Sequence, residues 1–220
     1  MQRFTIQLLF TTDGGMMEEG AGLSRKDRRR ATIRAEILSA ARELLLEVGP
    51  EAISLRQVAR RADFSPGALY TYFSSRDEII ASLFKESFER LDSYLRRVPL
   101  TLSPEKRVVE LGLAYMDFAQ DNPMDLRCIL LATSTELPPA SGKAVGLEAA
   151  SLIGQTFREG MEQGVFSSAS GLSAPEMAYG CWALVHGLVS VGGIDTSQVA
   201  EEVAAVPRRI IEAFVALLMT

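Results

Sequence analysis

The sequence predicts an all-α fold, and three observations carry that expectation. Apolar residues return at helical spacing through most of the chain after residue 28, Gly and Pro mark most of the breaks between these segments, and no run alternates apolar with polar residues as a half-buried strand would. With 220 residues, 47% of them hydrophobic, the chain can fill the core of a small domain joined to a larger one.

Met1 to Gly22 lacks periodicity and holds Gly14, Gly15, Gly20 and Gly22, so residues 1–24 are expected to form a disordered arm; the Met16-Met17 pair offers an internal start. From Arg28 the pattern changes. Ile33, Ile37, Ala40, Ala41, Leu44, Leu45 and Val48 recur on one face, with Arg34, Glu36, Arg42, Glu43 and Glu47 on the other, and Gly49-Pro50 ends the helix. Ser54 and Gln57 have the spacing of a capping box and open a short helix with Leu55, Val58, Ala59 and Ala62 inward. Asp63, tolerant of left-handed backbone, makes a tight turn with Phe64 toward the core. Ser65 caps the next short helix, Pro66 suits its first position, and Leu69 and Phe73 supply its buried side. Ser75 and Glu78 cap a longer helix carrying Ile79, Ile80, Leu83, Phe84, Phe88, Leu91 and Leu95. Two short helices joined by a tight turn and braced by longer ones are what reading a DNA major groove requires.

Beyond Pro99, helices are expected near Pro104 to Gln120, Pro123 to Ala132, Lys143 to Gln163, Pro175 to Val191 and Gln198 to Leu218. The expected division is 1–24 as extension, 25–75 as DNA-binding domain and 76–220 as a larger helical domain.

The net charge of −5 is unevenly spread. Ala21 to Val98 holds 15 Lys or Arg against 11 Asp or Glu, whereas Pro99 to Thr220 holds 7 against 14. Arg25 to Arg61 alone carries ten basic and five acidic residues, the footprint of a nucleic-acid-binding unit on an acidic body. No apolar run approaches the roughly 20 residues of a membrane span, and the first residues lack a convincing signal-peptide pattern. Cys128 and Cys181 lie far apart inside apolar segments, which suits buried thiols in a reducing cytoplasm. No phosphate-binding glycine loop, nucleophile elbow or metal-ligand spacing points to an enzyme, a metal or a cofactor.

Three stretches, Ser54-Leu55-Arg56-Gln57-Val58-Ala59, Phe64-Ser65-Pro66-Gly67-Ala68-Leu69-Tyr70-Thr71-Tyr72-Phe73 and Ser75-Arg76-Asp77-Glu78-Ile79-Ile80, resemble the DNA-binding domain of the TetR family over Ile33 to Leu83. The resemblance implies phosphate contacts from the start of the first short helix, including Ser54, from Tyr70 and Tyr72, and from Arg76. Arg28, Arg29 and Arg30 would reach the backbone or an adjacent minor groove. Ser65 joins this set as the cap of the reading helix, and base reading falls to Arg56, Pro66, Gly67, Ala68 and Thr71. Two residues depart from the family pattern: Asp63 stands at the usual turn glycine, and Pro66 where a basic or polar residue is frequent. Thymine methyl contacts and DNA shape then carry more of the specificity.

Trp182, His186 and Gly187 in a late apolar helix resemble a Trp-His-Gly variety of the family's C-terminal domain. The resemblance implies a homodimer on a palindromic double-stranded operator, with Ala183, Gly187, Ser190, Val206, Ile210, Phe214 and Leu217 at the interface. It also implies a small, largely apolar effector that releases a repressor from DNA, bound near Tyr115, Met116, Phe118, Met124, Phe157, Met161, Trp182 and His186. The alternative is a protein of the same fold that organises DNA or docks a protein partner and senses no small molecule.

Overall fold

The computed structural model describes residues 24–134, 143–167, 171–192 and 206–219. The described residues form helices α1 (Arg25–Val48), α2 (Leu55–Arg61), α3 (Pro66–Leu69), α4 (Arg76–Leu95), α5 (Pro104–Asp121), α6 (Pro123–Ser134), α7 (Lys143–Glu162), α8 (Ala174–Gly192) and α9 (Val206–Leu218). Their only β feature is an isolated bridge between Phe166 and Met219, and none of their helices is long and apolar enough to cross a membrane. The all-α expectation is met. The arm expected over 1–24 lies almost wholly outside the described residues, as does the expected stretch from Gln198 to Ala205.

Local chemistry sets the boundaries. α1 starts at Arg25, three residues before its apolar periodicity, because the Ser24 hydroxyl accepts from the Asp27 backbone N–H at 3.2 Å. It ends at Gly49, whose φ of 79° suits a residue without Cβ and whose N–H bonds to the Leu45 carbonyl at 2.9 Å. Val48, expected on the inner face, is 40% exposed because the helix is in its last turn. The Ser54 hydroxyl accepts from Gln57 N–H at 3.4 Å, but the reciprocal half of the capping box is replaced by a hydroxyl to amide-oxygen bond of 2.6 Å. At α4 the Ser75 hydroxyl accepts from Glu78 N–H at 3.1 Å, while the Glu78 carboxylate accepts from Ser74 N–H at 2.7 Å, one residue earlier than expected.

Two hydrophobic clusters result. The N-terminal one gathers Ile37, Leu38, Leu45, Ile53, Val58, Leu69 and Phe73 with Ile79, Ile80, Leu83 and Phe84 of α4 and Cys128 of α6. The C-terminal one gathers Leu91 and Leu95 of α4 with residues of α5 to α9, among them Phe118, Ile129, Phe157, Cys181 and Ile211. α4 therefore serves both cores, its first half in one and its last turns in the other, and α6 joins it with Cys128 in the first and Ile129 in the second. Between them sits a buried polar joint. Ser87 donates to Asp125 Oδ1 at 2.8 Å, and Asp125 also pairs with Arg42 of α1 at 3.4 Å and Arg90 of α4 at 3.0 Å.

Candidate nucleic-acid interface

The three N-terminal helices and the start of α4 present one surface. α2 packs on both α1 and α3. Asp63 closes the turn between the short helices at φ 58°, and the Phe64 N–H bonds to the Ala59 carbonyl at 2.9 Å, so the expected left-handed turn is formed without glycine. The Ser65 hydroxyl accepts from Ala68 N–H at 3.2 Å, and Pro66 follows in the first helical position.

α3 is only four residues long. Past Leu69 the backbone tightens, with Thr71 and Tyr72 N–H groups bonded three residues back to the Ala68 and Leu69 carbonyls at 3.1 and 2.9 Å. Ser65, Pro66, Gly67, Tyr70 and Thr71 are exposed, Tyr70 by 60%. Leu69 and Phe73 are fully buried beneath them. Ala68 and Tyr72 are half-buried beside them. A Cβ on Gly67 would meet nothing within 4 Å, which leaves open space in front of the helix.

Arg56 is exposed on α2. Arg76, at the start of α4, reaches the Glu51 carbonyl at 3.5 Å and Asp77 at 3.0 Å, which brings the beginnings of α2 and α4 to the same edge. Arg28 and Arg29 are exposed on the first turns of α1. Arg30, on the same helix, donates from Nη2 to the Thr71 carbonyl at 3.2 Å. Sequence reading missed Arg34, whose Nη1 donates to the Tyr72 carbonyl at 2.9 Å. The spacing of Arg30 and Arg34, one helical turn apart, was the available signal.

Of the eight pocket candidates, Tyr115, Phe118 and Phe157 lie in the C-terminal core at 4% exposure or less, with Met116 and Met161 half-buried against it. Trp182 stacks on His186 with ring centroids 4.5 Å apart, and His186 Nδ1 is hydrogen-bonded to the Tyr115 hydroxyl. Met124 stands apart at the surface, 38% exposed. Burial holds His186 below its ordinary pKa and raises that of Tyr115, so near neutrality the imidazole is uncharged and the phenol keeps its proton. His186 Nε2 is buried without a hydrogen-bond partner. A separate groove of about 670 Å³ runs between the α4–α5 connection, α5 and α9, over Val98, Leu102, Val109, Leu113 and Val215, and includes none of the eight.

Among the dimer candidates, Ala183, Gly187 and Ser190 are exposed and share one face of α8 with Tyr179, 66% exposed. On α9, Leu217 is 80% exposed, and Val206, Ile210 and Phe214 are half-buried.

This arrangement is a helix-turn-helix unit on a helical body. Residues 37–83 match the family model for bacterial regulatory proteins of the tetR family. The HTH-type transcriptional repressor KstR of Rhodococcus jostii (strain RHA1) is 38% identical over 76 residues, 34% of this chain and 34% of the relative. The HTH-type transcriptional regulator PksA of Bacillus subtilis (strain 168) is 33% identical over 81 residues, 36% of this chain and 40% of the relative. The matched stretch thus spans little more than a third of these relatives. Whole-chain likeness comes from solved structures: a putative tetR family transcription regulator from Shewanella sp. PV-4, with TM-score 0.68 and 18% identity over 86% of this chain and 98% of that one, shares the fold. So does the fatty acid degradation regulator FadR from Bacillus halodurans, with TM-score 0.61 and 18% identity over 84% and 94%. The helix-turn-helix domain of this chain belongs to the tetR family of bacterial regulatory proteins.

Proposed function

We propose that the protein is a sequence-selective DNA-binding regulator of transcription, a repressor that acts as a homodimer on a palindromic operator. The observation that carries this reading is the short, serine-capped α3, packed on α2 with its small and aromatic residues Pro66, Gly67 and Tyr70 outward. That shape fits a major groove, and the exposed cations Arg28, Arg29 and Arg56 flank it to meet phosphate or base edges. Residues 25–75 make up the reading unit and 76–220 the regulatory body, with α4 common to both cores. The name of KstR supports repression, and the exposed small-residue face of α8 beside Leu217 of α9 supports pairing with a second copy.

The regulatory body binds a small, largely apolar effector against Trp182, His186 and Tyr115, and binding favours a form that leaves DNA. His186 Nε2 supports this reading, because a buried polar atom without a partner is costly and a ligand would satisfy it. The test is selection of bound fragments from a genomic DNA library by the purified protein, followed by footprinting. A protected two-fold site confirms the regulator, and failure to enrich any fragment over random duplex overturns it. Competing small molecules are then scored by fluorescence of Trp182, the only tryptophan. If none alters either fluorescence or DNA release, the effector half of the reading fails and a protein that only organises DNA or docks a partner takes its place.

A further inference from the structure

α3 has too few residues to hold its own orientation. Four residues close one turn of helix, and a nucleus of that size is unfavourable in isolation. Its N-terminal end is secured by Ser65 and Pro66. The C-terminal side differs: the Ser65, Pro66, Ala68 and Leu69 carbonyls accept from N–H groups of residues 69 to 73, but Thr71 and Tyr72, just beyond, turn their carbonyls toward α1. Two guanidinium groups meet them, Arg30 Nη2 on Thr71 O at 3.2 Å and Arg34 Nη1 on Tyr72 O at 2.9 Å.

Arg34 does more than donate one bond. Its Nη2 donates to the Ser82 hydroxyl of α4 at 2.8 Å, Glu78 lies 3.6 Å from Nη1, and the planar group stacks 4.0 Å from the centroid of Phe73. One side chain thus uses two nitrogens and a face to join α1, the backbone after α3 and α4. An ammonium has neither the face nor the fork. Arg30 lies one turn earlier on the same side of α1 and also covers the Tyr72 ring at 5.9 Å.

We infer that Arg34, with Arg30 in support, is a positioning residue for DNA reading: it fixes the angle of α3 from behind and makes no phosphate contact of its own. The inference rests on the DNA-binding reading above, and it separates two kinds of arginine in one basic region. A cation that meets phosphate sets the salt dependence of binding, and losing it lowers the slope of log K against log salt by about 1. Losing a cation that only orients the reader lowers affinity by the same factor at every salt concentration.

The experiment measures hydrogen exchange in the DNA-free protein and salt-dependent binding to the selected operator, for wild type, Arg34→Ala, Arg34→Lys, Arg30→Ala and Arg56→Ala. Arg34→Ala is expected to speed amide exchange over residues 69–73 more than over α1, and to weaken operator binding about tenfold with the wild-type slope retained. Arg34→Lys is expected to recover little of either. Arg30→Ala, at an exposed position that folding tolerates, is expected to speed exchange at Tyr72 and Phe73 with a smaller loss of binding. Arg56→Ala is expected to lower the slope. Unchanged exchange over residues 69–73, full rescue by Arg34→Lys, or a slope reduced by about 1 in Arg34→Ala would each overturn the inference. The exchange measurement needs no DNA, so failure to find an operator defeats the regulator reading while leaving the orienting role of Arg34 separately decided.

Discussion

Ser87 and Asp125 meet at 2.8 Å in the interior, between the two hydrophobic cores, with 0% and 6% of their surfaces exposed. The Ser87 Oγ also lies 3.0 Å from the Leu83 carbonyl oxygen, but the carboxylate is the nearer and charged acceptor for its proton. Arg42 and Arg90 neutralise Asp125, and Arg42 carries on to Glu86 at 3.0 Å. Asp125→Ala leaves the mostly buried Arg42 guanidinium with Glu86 as its remaining carboxylate and is expected to cost about 3 kcal/mol of stability, whereas Ser87→Ala costs about 1 kcal/mol. Urea unfolding of the two variants checks the order, and equal losses would show that the carboxylate is not the centre of the joint.

Gly160 lies in the last turn of α7, where helix propensity alone favours alanine by at most about 1 kcal/mol. The packing reverses that sign. A Cβ there would sit 2.3 Å from Phe166 Cδ2 and 3.0 Å from the Pro104 Cβ, and the Phe166 ring is pinned by Phe157 with centroids 4.9 Å apart. Gly160→Ala is expected to lose about 1–3 kcal/mol, measured by thermal or urea unfolding. A stabilised variant would mean that Phe166 repacks freely.

His186 is the chain's only histidine. Burial lowers its pKa in the folded protein, so below its ordinary value of 6.5 the unfolded chain takes up the proton more readily than the folded one. The contribution of the neutral imidazole is complete above pH 6.5 and declines as pH falls through that value. Melting temperature should drop between pH 6.5 and 5.5 in wild type and stay flatter in His186→Phe. Trp182 fluorescence of the folded protein should change only at lower pH than this, because the charged ring forms against it below the depressed folded-state pKa. Parallel pH curves for the two proteins would remove His186 as the cause.

At Asp63 the left-handed φ of 58° costs an ordinary L-residue about 1–2 kcal/mol, least for Asp and Asn and most for β-branched side chains. Glycine relieves the strain but loses more freedom on folding, so Asp63→Gly should change stability by only about 0.5 kcal/mol. Asp63→Val should lose about 2 kcal/mol. Denaturation of the pair checks this, with a harmless valine the contrary result.

The helix-turn-helix was legible because its signals are local. Ser65-Pro66 opens a helix through the chemistry of the first turn, Asp63 suits its turn, and the 3.6-residue recurrence in α1 and α4 needs no knowledge of distant partners. The joint at Asp125 was not legible: Arg42, Ser87 and Asp125 come from three helices, and each alone reads as an ordinary polar position. Arg30 shows the boundary between the two cases. Its charge marked a basic face, yet the Thr71 carbonyl that takes one of its N–H groups depends on how α1 crosses the reading segment. The capping box at Ser54 was half legible, since spacing specifies which residues are near and leaves their rotamers open.

α4 contributes Ile79, Ile80, Leu83 and Phe84 to one core and Leu91 and Leu95 to the other without a break in its backbone. Melting either core therefore frays the helix that the other needs. The chain should unfold in one calorimetric step, and a fragment cut after residue 75 should expose Leu69 and Phe73 to water and aggregate where the intact chain stays dispersed.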